Sequence, residues 1–310
     1  DVVSHFDTLK IEELEKDKVH VSGCRGSSPP KDHKVCINLA GGFRNGMEII
    51  LTGMDIEEKA KVFTEVLFNS VGGQEQFDEV FIELQRTDKE NPTTNEQAMA
   101  SLVISVKSSN QELVGRLFSA KIIELALANI PGFFAESGPK SSGPVIIYWP
   151  ALIDSKYITE KVHIDGKKIE VMPTSQLDYE EIYYQREPIS IDDVEISDQK
   201  EIYFGDLFGT RSGDKGGCAN LGVWAKNNLS YSFLYNFLTI EKLKELLPDL
   251  SKYEIERFEL PNINSLNFYI HDILEDGVSS NNRKDGQAKS LGEYLRVKKI
   301  LVPDSILLET

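Results

Sequence analysis

Residues 201–225 read EIYFGDLFGTRSGDKGGCANLGVWA. Two apolar segments flank a bend that carries Arg211, Asp214 and Lys215 among four glycines. A hairpin needs only two turn residues, commonly Asn-Gly or Asp-Gly. The surplus of charge and backbone freedom therefore marks residues 209–217, GTRSGDKGG, as a functional loop between two strands. Glycines let backbone N–H groups converge on an anion, Arg211 offers a bidentate fork and Lys215 a compact charge. Asp214 between them is a candidate acid/base. The alternative is a tight structural turn with its cations in solvent. The glycine–lysine spacing excludes a Walker A loop, since no Ser or Thr follows the lysine.

Outward from this loop, the chain continues with a helix in TIEKLKELLPDL, capped by Thr239 and closed near Pro248. A strand pair follows in YEIERFELP and SLNFYIHDIL, then a short helix in GQAKSLGEYL and a last strand in RVKKILVP. The order β-β-α-β-β-α-β also reads out of residues 31–171. There, Arg44-Asn45-Gly46 signals a hairpin, and Asp55 caps a helix whose apolar face holds Ala60, Val62, Phe63, Val66 and Leu67. Strands at 78–84 and 98–107, a helix at 111–130 stopped by Pro131-Gly132, and the strand GPVIIYWPALI complete it. The expected fold is α+β: two tandem ferredoxin-like α/β sandwiches joined by an acidic linker. Residues 1–30 read as an N-terminal remnant and linker, 31–171 as the first α+β domain, 172–199 as the acidic linker, and 200–310 as the second domain with the SGDKG loop.

The 310 residues carry a net charge of −16 and a pI near 4.8. Nucleic-acid binding runs on clustered Lys and Arg, so neither a nucleic acid nor an anionic membrane is an expected partner. Mean hydropathy is −0.28, and the longest apolar tract, 117–134, is interrupted by Lys121 and Glu124, so no membrane span is expected. Three cysteines and an opening DVVSHFDTLK without a secretory pattern point to a cytoplasmic location. Cys24, His33 and Cys36 have no regular zinc spacing and lack a fourth ligand. No metal and no cofactor is expected, with a CoA thioester admitted as substrate.

A second basic segment, NNRKDGQAKSLGEYL, places Arg283, Lys284, Asp285 and Lys289 ahead of a short helix. Its free N–H groups would favour an anion; the alternative is a solvated loop. Cys218 follows two glycines and stands near Lys215, either as a thiol awaiting a base or as a plain small residue. His271 lies in NFYIHD, in phase with strand alternation, as a core histidine or a catalyst close to the loop. Trp149, Phe133 and Phe134 either line an acyl pocket or pack a core.

FGTRSGDKGGCANLGVWA, ERFELPNINSLNFYIHDILEDGV and RKDGQAKSLGEYL together resemble the C-terminal domain of the AtuA family, the acyclic terpene utilisation proteins. LEKDKVHVSGCRGSSPPKDHKVCINLAGGFRNG and SGPVIIYWPALI are similar to the later part of that family's larger N-terminal region. The resemblance carries over Arg211, Ser212, Gly213, Asp214, Lys215 and Gly216, with Gly217 beside them, and also Asn220, Asn267, His271, Arg283, Asp285 and Lys289. Cys218 departs from the pattern, where a polar residue is more usual. Members usually carry roughly another domain of chain before the point where this one starts. The resemblance thus implies an enzyme, or the C-terminal part of one, of branched or isoprenoid acyl-CoA or carboxylic acid catabolism. Its chemistry would be lyase-, hydratase- or thioesterase-like, in a homo-oligomer or a site completed by another chain or the missing half. In that reading Asp214, Lys215 and His271 are catalytic and the remaining residues bind substrate. The alternative is a non-catalytic accessory or assembly module for a partner enzyme.

Overall fold

The computed structural model describes residues 4–27, 30–128, 130–171 and 198–308. By contacts the chain forms two compact units, 38–147 and 1–37 with 148–310. The segment read as an acidic linker, 172–199, lies outside the described residues except for its last two positions. No helix among the described residues is long and apolar enough to cross a membrane.

The first unit corrects the hairpin expected at Arg44-Asn45-Gly46. One strand, Asp32–Thr52, runs straight through it. Arg44, Asn45 and Gly46 pair with Lys107, Val106 and Ser105 of the antiparallel strand Met99–Ser108. Gly46 serves close approach rather than a turn, because a Cβ there would lie 2.7 Å from the Ile104 carbonyl oxygen. Asn45 is buried and donates to the carbonyls of Lys140 at 2.9 Å and Gly115 at 3.4 Å, while its Oδ1 accepts from the Gly46 N–H. A turn signal is overridden here by burial and by a cross-strand partner.

Behind this strand come helix Ile56–Ser70, strands Glu79–Gln85 and Met99–Ser108, helices Gln111–Val114 and Arg116–Glu124, and strand Phe133–Ala135. In the sheet the order is 79–85, 99–108, 32–52, 133–135, with Gly143–Asp154 also pairing with 32–52. Met47, Ile49 and Leu51 alternate into a core shared with Phe63, Leu67 and Phe118. The helix buries Ile56, Ala60, Phe63, Leu67 and Phe68; Val62 and Val66, expected on that face, are 48% and 44% exposed. Asp55 occupies the N-cap position with φ 57° and makes no side-chain cap bond. Phe133 stacks on Phe63 at 5.0 Å, and Trp149 is exposed.

In the second unit the expected loop at 209–217 is itself a hairpin. Strand Gly209–Lys215 pairs antiparallel with Cys218–Trp224, and Lys215 opposite Cys218 leaves only Gly216-Gly217 for the turn. Helices Asn228–Phe237 and Ile240–Leu246 follow; Asn227 and Thr239 accept the amides of Ser230 and Lys242 as caps. Strands Ile255–Leu260 and Ser265–Ile270 complete a four-stranded sheet ordered 209–215, 218–224, 265–270, 255–260, antiparallel at every step. Strands 218–224 and 255–260, joined through the helices, thus run parallel with 265–270 inserted between them. That is the split βαβ of ferredoxin-like domains.

The last strand, Lys299–Pro303, leaves this sheet and pairs with Gln199–Tyr203 as a separate ribbon. Its expected place at the sheet edge is occupied by Gly209–Lys215. Leu221, Val223, Leu266, Phe268 and Ile270 alternate into the core, against Tyr231, Leu234 and Leu295. The charged piece near the N-terminus, read as part of a remnant, folds into a hairpin, Lys10–Glu15 with Lys18–Ser22.

Candidate functional site

Side chains along a strand alternate between faces, and this pleat sorts the candidate residues. Thr210, Ser212 and Asp214 lie opposite Val223, Leu221 and Ala219, whose side chains fill the core. They therefore face the helices. Ser212 Oγ accepts the Gly292 N–H at 3.1 Å, and a Cβ on Gly292 would meet Thr210 Oγ1 at 2.7 Å. Arg211, Gly213 and Lys215 lie opposite Gly222, Asn220 and Cys218, on the face without helices. The motif is split by the sheet, with Asp214 on one side and both cations on the other. Lys215 Nζ donates to the Asp214 carbonyl at 3.0 Å.

The glycines have local causes. Gly216 takes φ +66°, and the Tyr148 ring would lie 2.9 Å from a Cβ there. Gly217 is approached by the Glu275 carbonyl and accepts the Leu274 N–H at 2.8 Å. Of the glycines at 209, 213, 216 and 217, Gly213 alone has open space around it.

On the helix-free face the register brings Asn220, Asn267, Tyr269 and His271 together with Cys218, Arg211 and Lys215. Asn220 Nδ2 donates to Asn267 Oδ1 at 3.3 Å. Tyr269 lies opposite Asn220 on one side and Glu256 on the other. His271 Nε2 is 2.7 Å from Glu256 Oε1, with the histidine side chain 31% exposed. The rings of Tyr269 and His271 meet edge-on at 4.9 Å. A hydrogen bond with Cys218, then burial and the Cys218 charge, push the Tyr269 phenol up to about 12. His271 is thus a rim residue with a carboxylate partner rather than a core histidine. Sequence reasoning missed Glu256 and Tyr269. Their signal was phase: Asn267, Tyr269 and His271 fall on alternate positions, and Glu256 is the cross-strand partner of Tyr269.

The second basic segment is arranged differently. Asp285 accepts the amides of Lys289 and Ser290, each at 2.8 Å, and the Ser290 hydroxyl at 2.6 Å. Burial opposes ionisation of this carboxyl, yet the Ser290 hydroxyl, the two amides and the Arg283 charge hold it below its ordinary value. The carboxylate itself takes amides ahead of helix Leu291–Arg296 that were expected to receive a ligand. Arg283 Nη2 lies 3.6 Å from Asp249, and its own N–H goes to Asn281 Oδ1. The segment meets the hairpin on the helix side, through Gly292 and Ser212.

The family model described as acyclic terpene utilisation family protein AtuA matches residues 1–164. That of the AtuA ferredoxin-like domain matches residues 203–301, the region that holds the hairpin and the polar face. No curated protein and no solved structure matches the chain. With the two family models matching in order along most of its length, the chain belongs to the acyclic terpene utilisation (AtuA) family and carries that family's ferredoxin-like domain.

Proposed function

We propose that the protein is a cytoplasmic enzyme, or the C-terminal part of one, acting by acid–base chemistry on a branched, isoprenoid acyl-CoA or carboxylic acid. Family membership implies a role in acyclic terpene utilisation; the substrate and the chemistry are our reading. The observation that carries it is the His271–Glu256 contact at 2.7 Å beside Tyr269 and the Asn220–Asn267 pair. A histidine oriented by a carboxylate is a proton carrier. Side-chain amides beside it supply donors for a developing oxyanion or enolate. Arg211 and Lys215, on the same face, hold the carboxylate or a CoA phosphate. Gly292 and Ser212 brace the hairpin from behind, and Asp285 fixes the segment just ahead of Gly292. Lyase or hydratase steps use these parts, and so does thioester hydrolysis.

The same reading makes the two units tandem ferredoxin-like sandwiches. In the first, strands 32–52 and 79–85 flank 99–108 in the sheet and are joined through a helix, which supports the split βαβ arrangement there too. An assembly role is favoured by one observation, the outer strand Ile255–Leu260 with Phe258 47% exposed; edge strands pair with partners.

A thermal-shift panel separates the readings, using CoA, isovaleryl-CoA, free branched acids and phosphate against wild type and Lys215→Ala. A ligand at about 100 times its Kd adds roughly 2.7 kcal/mol of stability. A shift with the acyl-CoA that Lys215→Ala loses fits the enzyme. No shift with any of them sinks it and leaves assembly.

A further inference from the structure

Cys218 departs from the family pattern, yet it stands in the middle of the polar face. Its neighbours are what a nucleophilic thiol requires. Ala219 and Ile270 are the end pair of their ladder, so one further step in that register would set Cys218 opposite His271, on the face both share. Nε2 of His271 is engaged by Glu256 at 2.7 Å. In the neutral ring that leaves Nδ1 as the acceptor. The Tyr269 ring, opposite Asn220 on the same face, packs edge-on against His271 at 4.9 Å. Cys24 and Cys36, by contrast, are exposed thiols elsewhere on the chain. A thiol, a base beside it and a carboxylate that orients the base form the arrangement of activated nucleophiles.

We propose that Cys218 is an acyl acceptor, with His271 as its base and Glu256 orienting the ring. This rests on the acyl-CoA reading above and names the atom that reacts. His271 Nδ1 takes the Sγ proton, and the thiolate attacks the thioester carbonyl carbon. Side-chain amides of Asn220 and Asn267 lie along the same face to receive the oxyanion. The carbon–sulfur bond to CoA breaks, the proton returns from His271 to the CoA sulfur, and CoA leaves as the thiol. The acyl group remains on Cys218 as a thioester. One thioester is exchanged for another, so neither oxidant nor reductant enters. Water then releases the carboxylic acid and the free thiol, with His271 again as base.

The test is acylation of the full chain by isovaleryl-CoA, read by peptide mass spectrometry, with iodoacetamide labelling in parallel. The expected result is an isovaleryl group on Cys218, removed by hydroxylamine and absent from Cys218→Ser. It should form at least ten-fold faster than on Cys24 or Cys36. His271→Gln should slow both acylation and iodoacetamide labelling of Cys218 at least ten-fold while leaving Cys24 and Cys36 unchanged. Acylation of Cys218 no faster than that of the two exposed thiols overturns the proposal. Labelling of Cys218 that ignores His271→Gln does the same. A wild-type thermal shift with isovaleryl-CoA but no adduct sinks the acyl acceptor alone and leaves the acyl-CoA reading standing. Neither shift nor adduct sinks both.

Discussion

Glu256 Oε1 and His271 Nε2 meet at 2.7 Å although the residues stand fifteen apart in sequence. The edge strand Ile255–Leu260 and its inner neighbour Ser265–Ile270, which His271 directly follows, bring them together. A half-exposed pair of this kind adds little stability, typically 0–1 kcal/mol. Its consequence is orientation of the imidazole. Glu256→Gln should therefore leave the unfolding midpoint nearly unchanged and lower turnover of a branched acyl-CoA by roughly 100-fold. Unchanged turnover in a folded Glu256→Gln protein would remove His271 from the chemistry.

The hairpin makes opposite demands on two glycines. Gly216 has φ +66° and the Tyr148 ring above it, whereas Gly213 has nothing near its missing Cβ. Gly216→Ala should cost about 1–2 kcal/mol from backbone strain alone, and more from the contact with Tyr148. Gly213→Ala should be nearly neutral. Urea unfolding of the two variants reads the difference directly. Equal losses would mean that Gly213 too is held in a restricted backbone conformation.

Asp285 carries a pH signature. The folded state holds its carboxyl below the ordinary value. Its stabilisation is complete above roughly pH 4, the unfolded value, and is lost as pH falls through the lower folded value. Asp285→Ala should then lower stability by about 1 kcal/mol at neutral pH, as loss of a cap does. The gap to wild type should close in acid. A gap independent of pH would mean that the carboxylate charge plays no part.

In the first unit, Asn45→Ala removes a buried side chain that donates to the carbonyls of Gly115 and Lys140, and should cost about 1–3 kcal/mol. Asn45→Asp should fare no better, since it cannot donate to the Lys140 carbonyl when ionised. Thermal unfolding at pH 7 distinguishes this from the turn reading, in which both substitutions would be mild.

Much of the element order along the second unit was legible because alternation in SLNFYI and the cap at Thr239 act locally, whereas helix Asn228–Phe237 and its cap at Asn227 were not read. Partnership was not legible. Nothing local tells Lys299–Pro303 to pair with Gln199–Tyr203, or Gly209–Lys215 to take the sheet edge in its place. The same gap explains Arg44-Asn45-Gly46, where turn chemistry lost to a partner strand and a buried amide. For the site, the RSGDKGG charges were visible, but their division between two faces depends on reading 209–215 as strand. Glu256 and Tyr269 became visible only through register.

The central claim is that the helix-free face, not the loop as a whole, holds the ligand. Calorimetric titration of isovaleryl-CoA into four proteins tests it: wild type, Arg211→Ala/Lys215→Ala, Asn267→Ala and Ser212→Ala. The account predicts at least ten-fold weaker binding, a loss of 1.4 kcal/mol or more, for the first two variants. Ser212→Ala, on the opposite face, should bind as wild type does. Binding that survives the double variant, or that fails equally in Ser212→Ala, would contradict the account.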